Sequence, residues 1–162
     1  MLQVEYGAYA VYDTTGTGYQ SFDVNEFGYL YNWYAVNDDR GLCPAGWHVP
    51  SDGDNSSEWA ILSDFLGGIF VAGGKMKEAG TTHWFSPNTG ATNASGFTGL
   101  SGGYRSSDGS LGLIGIDGFW WSSTESGDDD DAWFRQLSYD SDNVSREIIN
   151  KRCGFSVRCL RD

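Results

Sequence analysis

Trp133-Phe134-Arg135-Gln136-Leu137-Ser138-Tyr139 alternates residue by residue. In an extended chain Trp133, Arg135, Leu137 and Tyr139 fall on one side, and Phe134, Gln136 and Ser138 on the other. That period predicts a strand with one fixed face and one free face. The same parity recurs in Val144-Ser145-Arg146-Glu147-Ile148-Ile149 and in Phe155-Ser156-Val157-Arg158-Cys159. Three consecutive antiparallel strands are the simplest reading. Trp133, Leu137, Tyr139 and Val144 are then expected to hold the core, with Phe134 and Ile149 exposed among polar neighbours. Exposed apolar residues of that kind favour a binding patch over an ordinary solvated face.

Upstream, the clearest helix signal follows Pro50. Ser51, Asp52 and Asp54 offer N-caps, Trp59, Leu62, Phe65 and Leu66 recur at helical spacing, and Gly67-Gly68 stops the run. A helix over 57–65 is expected. A second, shorter one is expected over 73–78, where Lys75-Met76-Lys77-Glu78 are good helix formers and Gly80 ends them. Leu30-Tyr31-Asn32-Trp33-Tyr34-Ala35-Val36 reads as a buried strand or short helix, residues 1–28 as short strands and turns, and 81–100 as ordered loop.

Composition sets outer limits. With 162 residues and 40% hydrophobic content, one domain over 1–162 can bury its own core. The net charge of −12 argues against a nucleic-acid or anionic-membrane binder and leaves a basic or apolar partner open. No apolar run approaches the roughly 18 residues that cross a bilayer, so no membrane insertion is expected, and the given chain shows no signal peptide.

Residues for chemistry are sparse. His48 and His83 each neighbour a tryptophan, lack partners at ligand spacing, and read as packing or hydrogen-bonding histidines. Asp13, Glu58 and Glu125 read as isolated carboxylates. Residues 128–131, four aspartates, read as a solvated loop tip, because they lack the alternating spacing of a calcium loop. No cofactor is expected; a structural calcium at 128–131 or on backbone carbonyls stays open. The glycines of Gly102-Gly103 and 109–115 precede no helix and indicate no phosphate cradle. A bond between Cys43 and Cys159 would tie the tail to the middle of the fold; two buried free thiols are the alternative, and Cys153 is the odd cysteine.

Several stretches, in order, resemble a known family: Leu30-Tyr31-Asn32-Trp33-Tyr34-Ala35, Cys43-Pro44-Ala45-Gly46-Trp47-His48-Val49-Pro50-Ser51-Asp52, Gly102-Gly103-Tyr104-Arg105, Trp120-Trp121-Ser122-Ser123-Thr124-Glu125 and Gly154-Phe155-Ser156-Val157-Arg158-Cys159. They look like the Fibrobacter succinogenes major paralogous domain. The likeness runs from about Gly28 to the end, and residues 1–27 match poorly. It implies an α+β, C-type lectin-like fold with two helices, a small antiparallel sheet and long ordered loops. It also implies frequent use as the variable protein of a diversity-generating retroelement, in which a reverse transcriptase miscopies adenines of a template repeat into the 3′ end of the target gene.

Under that resemblance the variable region spans about 105–153. Its candidate ligand-binding positions are Leu111, Leu113, Ile116, Asp117, Phe119, Phe134, Gln136, Ser138, Ser145, Glu147, Ile149 and Cys153. Relatives commonly carry Asn or Tyr at all of these positions but Phe119. Gln136 and Glu147 lie beyond the reach of an adenine-mutated Asn codon and need another template codon or a fixed role. The motifs around Cys43 and Cys159 look like fixed parts of the fold, which assigns the disulfide to them and leaves Cys153 free. The related formylglycine-generating enzymes carry a catalytic cysteine pair upstream of their last motif, and this chain lacks it. The sugar-binding motifs of calcium-dependent lectins are also missing, and Ser86-Pro87-Asn88 does not replace them. The expected function is therefore a non-enzymatic ligand-binding domain on a cell or virion surface. Its ligand is expected to be a protein on a host or neighbouring cell, with carbohydrate less favoured and nucleic acid excluded. An enzyme on the oxidase scaffold and a structural surface domain that is not diversified are the alternatives.

Overall fold

The computed structural model describes residues 6–11 and 23–162. Along them run β1 (Tyr9–Ala10), α1 (Val24–Phe27), β2 (Leu30–Tyr31), α2 (Trp33–Val36), β3 (Trp47–His48), α3 (Glu58–Phe65), α4 (Ile69–Met76), β4 (Gly102–Arg105), β5 (Leu111–Ile114), β6 (Asp117–Glu125), β7 (Asp131–Ser138), β8 (Ser145–Asn150) and β9 (Leu160–Arg161). The class is α+β. It is richer in strand than expected, with a five-stranded sheet in the order β5-β4-β6-β7-β8 and two small two-stranded pairs, β1-β2 and β3-β9. The large sheet is mixed, since β4 and β6 run parallel through Gly103 and Gly118.

Capping and close packing explain the helices. Asn32 caps α2 by accepting from the Ala35 amide at 3.1 Å, and the same side chain accepts from Ala8 N and donates to Tyr6 O, tying residues 6–8 to the core. Helix α3 begins after Ser57 and is closed by Gly67 and Gly68 at φ +102° and +95°. Helix α4 runs over Ile69–Met76, four residues earlier at its start and two at its end than the expected 73–78, and it carries Gly73 and Gly74 in its interior despite their poor helix propensity. Both are required by approach: a Cβ on Gly73 would lie 2.0 Å from Asn143 O, and one on Gly74 2.4 Å from Gly90 O.

The centre of the sheet, on β6 and β7, is buried on both faces. One face carries Trp120 and Leu137 against Trp59, Leu66, Ala72, Met76 and Trp84 of the helical side. The other carries Phe119, Trp121, Ala132 and Phe134 against Trp33, Cys153 and Phe155. This corrects the opening expectation. Strands β7 and β8 pair antiparallel as predicted, but the segment from Phe155 does not continue the meander. It packs across the sheet, bridging Phe155 to Tyr31 and Ser156 to Trp120, and the neighbour of β7 on its other side is β6. Phe134 is consequently covered, its ring centroid 4.9 Å from that of Phe155, and it is core. Trp133, expected in the core, is half-buried with the Arg146 guanidinium carbon 3.5 Å from its ring centroid. Phe65 departs from its apolar stripe and is 85% exposed, whereas Trp59 is buried.

Cys43 and Cys159 form a disulfide with Cα atoms 5.9 Å apart, and Cys153 is a buried free thiol. No described helix is long and apolar enough to cross a membrane.

Candidate binding face

Register decides where the candidate residues stand. Directly paired residues share a face. The pairs Asp117 with Ser138, Phe119 with Gln136, Gln136 with Ser145, Phe134 with Glu147 and Ala132 with Ile149 therefore set eight candidates on one face of β6-β7-β8: Asp117, Phe119, Phe134, Gln136, Ser138, Ser145, Glu147 and Ile149. The alternation read in the sequence had placed six of them, on β7 and β8, on one side; Asp117 and Phe119 join through the pairing with β6.

Accessibility divides the set. Ser145 and Glu147 on edge strand β8 are exposed, while Gln136, Ser138 and Ile149 are half-buried. Asp117, Phe119 and Phe134 are buried, as is Cys153, which packs among the aromatics beneath this face. Ile149 packs on the same aromatic cluster, so neither it nor Phe134 is the freely exposed apolar anchor expected from the sequence. Leu111, Leu113 and Ile116 lie on or just after β5 at the opposite end of the sheet, where Leu113 is 38% exposed and Leu111 and Ile116 are half-buried. Leu113 also adopts φ +65°, a left-handed conformation costly for a branched side chain.

The chemistry concentrates where β6 and β7 end together. Burial holds the Asp117 carboxyl above the usual carboxylate range; the neighbouring polar side chains of Ser138 and Gln136 partly offset the rise, and nearby Asp140 adds to it. Its Oδ1 is buried without a hydrogen-bond partner. Ser138 Oγ donates to Asp140 Oδ1 at 2.9 Å. Beneath this turn lies Lys77, fully buried, whose ammonium donates to the carbonyls of Thr89, Ser138 and Ser141 at 2.7 to 2.8 Å. Burial pushes that amine down to about 8. Lys77 is thus a pin that fixes the end of β7, a role sequence reading missed because it assigned Lys77 to a helix.

A second missed network holds the reverse face. Asp52, 1% exposed, receives Arg135 at 2.6 and 2.8 Å and Arg146 Nε at 3.0 Å, and Arg146 also donates to the Asp52 and Gly53 carbonyls. One carboxylate from the loop before α3 thereby fixes adjacent positions of β7 and β8. The sequence carried a signal, since arginines at 135 and 146 occupy the fixed parity of both strands. Its partner, 83 residues from Arg135, gave none.

The remaining sequence candidates are placed as follows. Glu58 and Glu125 are not isolated: Glu58 receives His48 Nε2 at 2.6 Å, and Glu125 receives Lys151 Nζ at 3.1 Å. His48 Nδ1 lies 2.6 Å from Asp162 Oδ1, so a carboxylate stands at each ring nitrogen, and these contacts raise its pKa. His83 lies 2.9 Å from Glu78 and 3.4 Å from Glu26. Asp128, Asp129 and Asp130 are exposed, and their loop is held through its carbonyls by Lys151. Among the described residues no group of three or more His, Cys, Asp or Glu is placed to hold a metal ion. Asp13 lies outside the described residues.

A strand-rich α+β domain, its sheet covered on both sides and its last strand open along one edge, is the class these observations define. The chain belongs to the Fibrobacter succinogenes major domain family, whose model matches residues 2–161. The match therefore includes residues 2–27, which carry none of the motifs that suggested the family. No curated protein and no solved structure matches the chain.

Proposed function

We propose that this chain is a non-enzymatic ligand-binding domain of C-type lectin-like fold, borne on a cell or virion surface. Its C-terminal half is a variable surface of the kind a diversity-generating retroelement produces, and its ligand is a protein. The observation that carries the reading is the cross-strand register that gathers eight candidates from three strands onto one side of the sheet. The opposite side is committed to the Asp52 network and the helical core. Ser145, Glu147 and Leu113 are exposed to a partner, and Gln136 and Ser138 are among the half-buried members beside them. The non-enzymatic part rests on cysteine chemistry: two of the three thiols are joined to each other and the third is buried, with burial raising its pKa away from the reactive thiolate.

Sequencing the gene's neighbourhood tests diversification. A template repeat is expected whose adenines align with the codons of the accessible positions; a neighbourhood without a repeat and a reverse transcriptase would reject that part. Recognition is tested separately by displaying the chain with Ser145 and Glu147 randomised and selecting against cells. Folded clones that differ in cell binding are expected, and uniform binding across them would place recognition elsewhere.

A further inference from the structure

A cavity of about 350 Å³ lies between α3 and the C-terminal strand β9, at the lower end of the range of small-molecule sites, roughly 300–1,000 Å³. Trp59, Leu62, Phe65, Phe97 and Leu160 supply its apolar walls, and none of the twelve variable candidates lines it. The apolar surface continues outward, since Phe65 is 85% and Leu160 42% exposed, which is unusual for side chains that fold nothing.

Two charged residues complete the lining, and they differ. The Glu58 carboxylate is fully engaged, accepting from His48 on one oxygen and from the Ser51 amide and hydroxyl on the other. Arg158 is exposed, lies with its guanidinium carbon 4.6 Å from the Phe97 ring centroid, and donates one bond to Phe97 O. Among the described residues it has no carboxylate partner. The Glu58 oxygens are thus occupied, and the guanidinium of Arg158 is the charged group of the lining that keeps donors free, in a chain whose net charge is −12. Stacking on Phe97 holds the planar fork in place and leaves further N–H donors for a carboxylate.

We propose that this cavity binds a small amphipathic carboxylate, with its apolar body against Trp59, Leu62 and Phe65 and its carboxylate on Arg158. This is a second site, independent of the variable face.

The test titrates the intact, disulfide-bonded chain with sodium octanoate, 1-octanol and octylamine, following amide chemical shifts. Octanoate should bind saturably at one site, shift the amides of α3 and β9, and exceed octanol in affinity by roughly tenfold, the worth of one charge-assisted pair of about 1.4 kcal/mol. Net protein charge opposes that preference and favours octylamine, so a preference for octanoate reports the local guanidinium. Arg158→Gln should abolish the difference between octanoate and octanol, and Phe65→Ser, at a position too exposed to threaten the fold, should weaken both. Equal affinity for octanoate and octanol, tightest binding of octylamine, a preference that survives Arg158→Gln, or shifts confined to other elements would each overturn the proposal.

Discussion

Asp117 shows how a single carboxyl can work against its own fold. Its folded pKa is raised by burial, so between the unfolded value and the folded one the native state binds more protons than the unfolded chain. Stability therefore falls as pH rises through that window, and the penalty is fully present above the folded pKa. Asp117→Asn keeps the acceptor and removes the charge; it should raise stability at pH 7 by about 1 kcal/mol, with a gain that vanishes toward pH 3. Denaturant melts at both pH values check this. Leu113 carries a second local cost, in its backbone. Leu113→Asn should raise stability by up to about 1–2 kcal/mol, seen as a higher melting temperature, because Asn tolerates the left-handed region better than Leu. By contrast Phe134→Ala should cost about 3–5 kcal/mol, as a truncation among Trp121, Phe119 and Phe155, whereas Ser145→Asn should stay within about 0.5 kcal/mol.

At the scale of elements, the β3-β9 pair is held by more than its two rungs. His48 of β3 stands between Glu58 of α3 and Asp162 beyond β9, both carboxylates within 2.6 Å, and its pKa is raised by the Asp162 and Glu58 hydrogen bonds. A raised histidine contributes stability that is complete below its unfolded value of about 6.5 and is lost as pH rises through the folded pKa. Wild type should exceed His48→Gln in stability at pH 5 and converge on it at alkaline pH; a gap independent of pH would assign His48 a packing role only. These elements also show what local sequence could reveal. Helix α3 was legible because its apolar spacing ends at two glycines; the cap itself was not, since the N-cap is Ser57, which makes no side-chain capping bond, rather than Ser51, Asp52 or Asp54. Its outward apolar pair was not, because Ile61 and Phe65 at i, i+4 carry the same signal as a core stripe. The expected helix over 73–78 missed the first turn of α4, residues 69–72, and the reason for Gly73 and Gly74 lies in distant segments, Asn143 and Gly90, that they approach. The sides of β7 and β8 followed from parity alone, but parity cannot report a cover. The cover of Phe134 comes from Phe155, on a segment that leaves the meander to cross the sheet.

For the whole molecule, the disulfide spans 116 residues and closes most of the chain into one loop. Chain entropy alone makes such a closure worth about 4–5 kcal/mol. Reduction, or Cys43→Ser with Cys159→Ser, should lower stability toward that amount without changing the sheet, as read by a denaturant melt and the far-ultraviolet circular dichroism. A reduced chain as stable as the oxidised one would show that the other clasps already hold β9 in place.

A sheet with a core on each side has a further consequence for anyone who shuffles its face. In a combinatorial library drawn over all twelve candidate positions, the draws at Asp117, Phe119, Phe134 and Cys153 would be filtered by foldability before any target is offered. Most clones would be lost to misfolding at those interior letters. Holding Phe119, Phe134 and Cys153 fixed while Ser145, Glu147, Gln136, Ser138 and Leu113 vary should return a far higher yield of soluble clones, with diversity concentrated where a target can meet it.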